Sequence, residues 1–180
     1  MKVPRLRWIA ALLTGAVLAA SQPPLLLWWF LPLGIAALFI LWRKAETGWR
    51  AFWTGWLAGV AYFTGTLFWI VEPFLVDAAR HGWMAPFAVV LMAAGGALFW
   101  CVAFYAARRV SSQLWVLVPC WAGVELLRAY IFTGFPWASP AQAMVDVIAG
   151  QSLAWVGPHG LNLALMAAAC LSALALRRPV

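Results

Sequence analysis

The chain has 180 residues, of which 66% are hydrophobic and only 9% charged, and it carries a formal charge of +7. A soluble domain has about 25% charged residues, so this chain has too few charges to cover a globular surface, and lipid has to supply its surroundings. The positive charge does not form one patch beside solvated aromatics but lies in small groups between apolar runs, which sets nucleic-acid binding aside and reads as membrane topology.

A hydrocarbon core of about 30 Å needs about 20 helical residues at a rise of about 1.5 Å each. The apolar runs predict an all-α membrane protein, a single transmembrane domain over 1–180 built as a polytopic bundle of about six helices. The first, at 8–20, is short and is stopped by Ser21-Gln22-Pro23-Pro24, so that it pairs as a hairpin with the second, at 25–42. Its basic start and the closing Ala19-Ala20 fit a cleaved signal peptide as well as a retained helix.

The third helix, at 52–71, contains Gly55 and Gly59 in a GxxxG step, with Gly65 beyond, and runs into Glu72-Pro73. The fourth, at 86–107, begins on a proline at the tolerated first-turn position and contains Gly95 and Gly96. Two readings fit these glycines: close helix packing, or a groove shaped to admit an acyl chain. The fifth helix, at 114–132, carries Glu125 and Arg128 and is stopped by Gly134 and Pro136. Residues 138–156 mix apolar side chains with Gln142, Asp146 and Gln151, which suits an interfacial or re-entrant segment, and 158–176 makes the sixth helix.

Ten of the twelve Lys and Arg fall in four groups at alternate helix ends: Lys2, Arg5 and Arg7; Arg43, Lys44 and Arg50; Arg108 and Arg109; Arg177 and Arg178. Positive residues stay on the cytoplasmic side, so both termini are expected inside and the segments 72–83 and 133–156 outside. Of the 14 tryptophans, Trp8, Trp28, Trp42, Trp69, Trp83, Trp115 and Trp137 lie near helix ends and read as headgroup anchors, whereas Trp56, Trp100 and Trp121 lie deeper and read as packing.

Cys101, Cys120 and Cys170 have neither CxxC nor Cys/His spacing, and the two histidines, His81 and His159, have no ligand set around them. Neither a metal nor a cofactor is expected. Glu72, Asp77, Arg80 and His81 share one outer segment and read as solvated charges or as an acid/base group. Glu125 and Arg128, three apart on a helix, share a face and can pair, which lowers the cost of charge near lipid. They read either as a self-neutralising lock between helices or as an arginine drawn to a lipid phosphate and oriented by the glutamate. The turn Thr133-Gly134-Phe135-Pro136-Trp137 follows directly and is either a plain helix stop or the wall of a lipid site.

Glu125-Leu126-Leu127-Arg128, four residues, and then Thr133-Gly134-Phe135-Pro136-Trp137 resemble the membrane domain of bacterial apolipoprotein N-acyltransferases. Ser21-Gln22-Pro23-Pro24 and the glycine-rich third helix closing in Phe68-Trp69-Ile70 belong to the same resemblance, which covers essentially the whole chain. It implies a multi-pass protein of the bacterial inner membrane, with phospholipid and a lipoprotein as substrates. It also implies a nitrilase-like domain whose Glu-Lys-Cys triad takes an acyl chain as a thioester and passes it to the amino terminus of a diacylglyceryl-cysteine lipoprotein. No such domain occurs in these residues, so no catalytic residue is expected here and the chain alone is expected to be an inactive fragment. Its candidate lipid- or substrate-binding residues are Glu125, Arg128, Thr133, Gly134, Phe135, Pro136, Trp137 and Trp69. Two rival readings are a small transporter with a polar path through Glu125 and Arg128, and a lipid-binding scaffold without chemistry.

Overall fold

The computed structural model describes residues 3–131 and 134–176. Within them the chain is all-helical, with no strand. The long helices are α1 Val3–Ala19, α2 Phe30–Arg43, α3 Gly48–Thr66, α4 Ala85–Val110, α5 Leu117–Tyr130 and α6 Leu153–Ala175.

Several ends differ from the sequence expectation, each for a local reason. The second helix begins at Phe30 instead of residue 25, because Pro23 and Pro24 lack N–H groups and Leu26 adopts a left-handed φ of 53°. The third stops at Thr66 when Leu67 leaves helical geometry. Phe68–Val71 and Glu72–Leu75 follow as short turns, bent by 60° from α3. The fourth runs on to Val110, and the fifth ends at Tyr130. Residues 138–156 hold the 3-10 turns Pro140–Met144 and Ile148–Ser152 and the start of α6, which breaks at Gly157 (φ 65°, ψ 177°) just before Pro158.

Two helical stretches, Ala78–Val110 and Ile148–Ala175, are long and apolar enough to cross a membrane, and a third qualifies if the bent pair over Gly48–Leu75 is one span. The chain is a helical membrane protein. Close helix approaches are made where side chains are missing. A Cβ on Gly55 would lie 2.9 Å from the Trp100 carbonyl oxygen, and one on Gly59 would lie 2.9 Å from Ala97, so both glycines seat α3 against α4. The aromatic centre stacks behind this contact: Trp100 lies on Tyr62 at 5.0 Å and meets Trp121 edge-on at 4.9 Å.

Arg7, Arg43 and Arg108 converge at one end of the bundle, whereas Lys2, Arg177 and Arg178 lie outside the described residues. Arg7 and Arg108 both donate to carbonyls at the C-terminus of α2, and Arg43 donates to Ala173 O at the C-terminus of α6, as the helix dipole favours. Trp42 departs from its expected anchor role. It is fully buried, its indole N–H donates to Phe104 O at 2.9 Å, and the Arg108 guanidinium stacks on its ring at 4.0 Å. Trp28, Trp69, Trp83, Trp115 and Trp137 are exposed at helix ends.

Candidate functional site

Glu125 and Arg128 lie one turn apart on α5, and their side chains are 1% and 3% exposed. A buried ion pair offsets its desolvation only when its remaining hydrogen-bonding groups are satisfied. Here Glu125 Oε2 accepts from Arg128 Nη2 at 2.6 Å, and Oε1 accepts from the Trp100 indole at 2.6 Å. Arg128 Nη1 donates to the carbonyls of Phe135 and Trp137, both at 2.7 Å, and the guanidinium lies 5.2 Å from the centre of the Phe63 ring. Within the pair, Arg128 Nε is the atom left buried without a partner among the described residues. The charged pair is therefore closed within the chain: α4 braces its acid, and its base holds the backbone that follows α5.

That backbone forms a strap, 134–144, gripped from several helices. Gly134 takes φ 81°, and Phe135 N–H returns to Arg128 O at 3.1 Å. The Tyr62 hydroxyl of α3 donates to Ala138 O at 3.0 Å and accepts from Gln22 Nε2 at 3.0 Å. Gln22 also donates to Ser139 O at 3.2 Å. From α6, Asn162 donates to Ser139 Oγ and accepts from Ala141 N–H, each at 2.7 Å. Each of these polar groups would be costly to bury alone, and each has its partner in the strap.

Beside the strap, α3, α4 and α5 enclose a groove of about 680 Å³. Leu67, Leu91, Val102 and Leu127 are among its apolar walls, and among the described residues Arg128 is the one charged residue on it, next to Gly134 and Phe135. The two glycines of α4 serve differently: a Cβ on Gly96 would press on the Phe63 ring at 3.0 Å, whereas one on Gly95 would meet nothing within 4 Å.

The structure brings most of the candidate residues together. Glu125, Arg128, Gly134 and Phe135 form the braced wall, and the Trp137 carbonyl joins them. The Trp137 ring meets Trp69 edge-on at 6.0 Å, although 68 positions separate the two in the sequence. Pro136 is exposed, and its carbonyl accepts from Gln142 Nε2 at 3.4 Å. Thr133 lies outside the described residues. Glu72, Asp77, Arg80 and His81 are all exposed on short turns away from this wall. His159 is half-buried, with Nδ1 unpartnered among the described residues and its ring 5.8 Å from Tyr130.

Sequence reasoning missed Gln22, Tyr62, Ser139 and Asn162 as members of the site. One signal was available for Asn162, because a polar amide inside an apolar helix needs a partner within the protein. Among the described residues, no group of three or more His, Cys, Asp or Glu is placed to hold a metal ion.

Residues 14–171 match the family model described as the apolipoprotein N-acyltransferase N-terminal domain. The chain is 44% identical over 162 residues to an apolipoprotein N-acyltransferase of Caulobacter vibrioides, covering 84% of this chain and 30% of that protein. It is 33% identical over 172 residues to the protein of the same name from Allorhizobium ampelinum, with 87% and 32% covered. It is 31% identical over 175 residues to that of Chromobacterium violaceum, with 93% and 33% covered. The chain thus spans about a third of the length of these relatives.

Proposed function

The chain belongs to the apolipoprotein N-acyltransferase N-terminal domain family, and on that premise we propose that it is the membrane portion of an N-acyltransferase and holds an acyl tail of the phospholipid donor. The observation that carries this reading is the groove of about 680 Å³ beside the Arg128 strap, a volume within the range of about 300–1,000 Å³ common for ligand sites. Its walls are apolar, as a hydrocarbon tail requires, and the Arg128 cation on it is already neutralised by Glu125, so a tail entering beside Arg128 meets no bare charge.

In this reading Glu125 and Arg128 are positioning residues. They hold the Gly134–Phe135 backbone as one wall and leave the phosphate to other groups. Trp69 and Trp137 form the aromatic rim at the headgroup level, with Pro136 beside them. The transporter alternative needs a polar path, and an almost wholly apolar groove argues against one.

The acyl transfer itself is assigned to a Glu-Lys-Cys domain outside these residues, so the chain alone has no turnover. The topology that serves this role has about six spans, with the end that gathers Arg7, Arg43 and Arg108 in the bacterial cytoplasm and the Trp69–Trp137 end outside. The test is photolabelling of the membrane-inserted chain with a phospholipid carrying a diazirine on its acyl chain. The expected outcome is labelled peptides concentrated in the 91–102 stretch of α4 and in residues 124–131, the end of α5 and its cap. Labelling spread evenly over every lipid-exposed helix face defeats the proposal.

A further inference from the structure

Gly95 stands in the middle of a helix where glycine is unfavourable relative to alanine, and the usual reason for tolerating one there is the close approach of another helix. That reason holds for its neighbour Gly96, which receives the Phe63 ring, and for Gly55 and Gly59, which receive α4. It does not hold for Gly95, where a built Cβ meets nothing within 4 Å. What the missing side chain leaves open is the groove itself, since Gly95 lies on its wall. We propose that Gly95 determines how long an acyl tail the groove accepts. This rests on the acyl-tail reading given above.

The dimensions support a ruler at this position. Leu91, Gly95, Leu98 and Val102 line the groove at spacings of four, three and four, which places them in one stripe along α4. From Leu91 to Val102 the stripe rises about 16 Å at about 1.5 Å per residue. That is close to one leaflet of the hydrocarbon core, about half of 30 Å. Gly95 lies about 6 Å along this path from Leu91. A bulky side chain there bars the groove between its Leu91 part and its Val102 part. A short tail places most of its methylenes in the first part, whereas a long tail must pass Gly95 to bury most of its own.

The experiment uses the chain in lipid nanodiscs that contain equal amounts of palmitoyl and octanoyl phosphatidylglycerol, each with a diazirine at its tail end. Labelling of groove peptides is compared between the wild type, Gly95→Phe and Gly95→Leu. Gly123→Leu is the control, because Gly123 also has nothing within 4 Å of a built Cβ yet does not line the groove. The expected result is a palmitoyl-to-octanoyl labelling ratio about tenfold lower in Gly95→Phe, with a smaller drop in Gly95→Leu and none in Gly123→Leu; tenfold corresponds to about 1.4 kcal/mol. Normal groove labelling with an unchanged ratio in a Gly95→Phe protein that melts as the wild type does overturns the role of Gly95 and leaves the acyl-tail reading standing. Absence of groove labelling in the wild type overturns both. Should Gly95→Phe not fold, Gly95→Leu decides the question by the same ratio.

Discussion

The Trp100 indole reaches across the α4–α5 interface to Glu125 Oε1 at 2.6 Å, while Oε2 of the same carboxylate holds Arg128. One carboxylate thereby joins an aromatic core residue of α4 to the arginine that grips the Phe135 and Trp137 carbonyls. The bond makes the centre of the bundle and the wall of the groove parts of one structure.

Removing either charge alone leaves its partner buried and uncompensated, which costs about 3–5 kcal/mol. Glu125→Leu and Arg128→Met are each expected to lose that much in thermal or denaturant unfolding of the detergent-solubilised chain. The double variant is expected to lose clearly less than the sum. Additive losses in the cycle mean that the pair does not act as a unit.

Trp100→Phe keeps most of the aromatic packing on Tyr62 and Trp121 but removes the donor to Glu125. Interhelical hydrogen bonds in membrane proteins average about 0.6 kcal/mol and reach about 1.7. The charged acceptor places the expected loss near the upper figure, well below that of Glu125→Leu. A loss as large as that of Glu125→Leu would show that the indole contributes mainly through its volume.

Asn162→Leu removes two hydrogen bonds to the strap while α6 keeps its apolar face. Amide exchange over 138–144 is expected to quicken by about tenfold, as a loss of about 1.4 kcal/mol in local opening implies. Exchange in the central turns of α3 and α4 should stay at the wild-type rate. Equal acceleration throughout would mean that Asn162 supports the whole bundle instead of the strap.

Gly59→Leu drives a branched side chain into Ala97 and is expected to prevent α3 from seating on α4, with loss of the folded, monodisperse protein. Gly95→Ala, in contrast, adds a methyl group into open space. It is expected to stabilise by about 0.4–1 kcal/mol through the unfolded chain and the helix propensity of alanine. Both comparisons are made by thermal melting followed by size-exclusion chromatography.

The pairing of Glu125 with Arg128 was legible in the sequence because an i, i+3 spacing on a helix puts two side chains on one face whatever surrounds them. The remaining partners were not legible. Trp100 lies 25 positions before Glu125, and the Phe135 and Trp137 groups that meet Arg128 are backbone carbonyls, which every residue carries and no motif marks. The Gly55–Gly59 step could be read as packing or as a groove, and only the position of α4 separates the two. The same holds for Gly95 and Gly96, adjacent in sequence and different in surroundings. Trp42 read as an anchor because it ends an apolar run beside basic residues. Its burial follows from Arg108 of α4 covering its ring.

The sequence by itself determined that the chain is helical and lives in lipid, because hydrophobicity, charge scarcity and the length of apolar runs are properties of composition and local order. It also determined the ion pair on α5 and the break after it, both set within a single turn of backbone. Tertiary structure decided which carbonyls the arginine holds, which polar side chains tie down the strap and where the groove opens. Those depend on contacts between residues far apart in the chain, and their energies exist only once helices have packed.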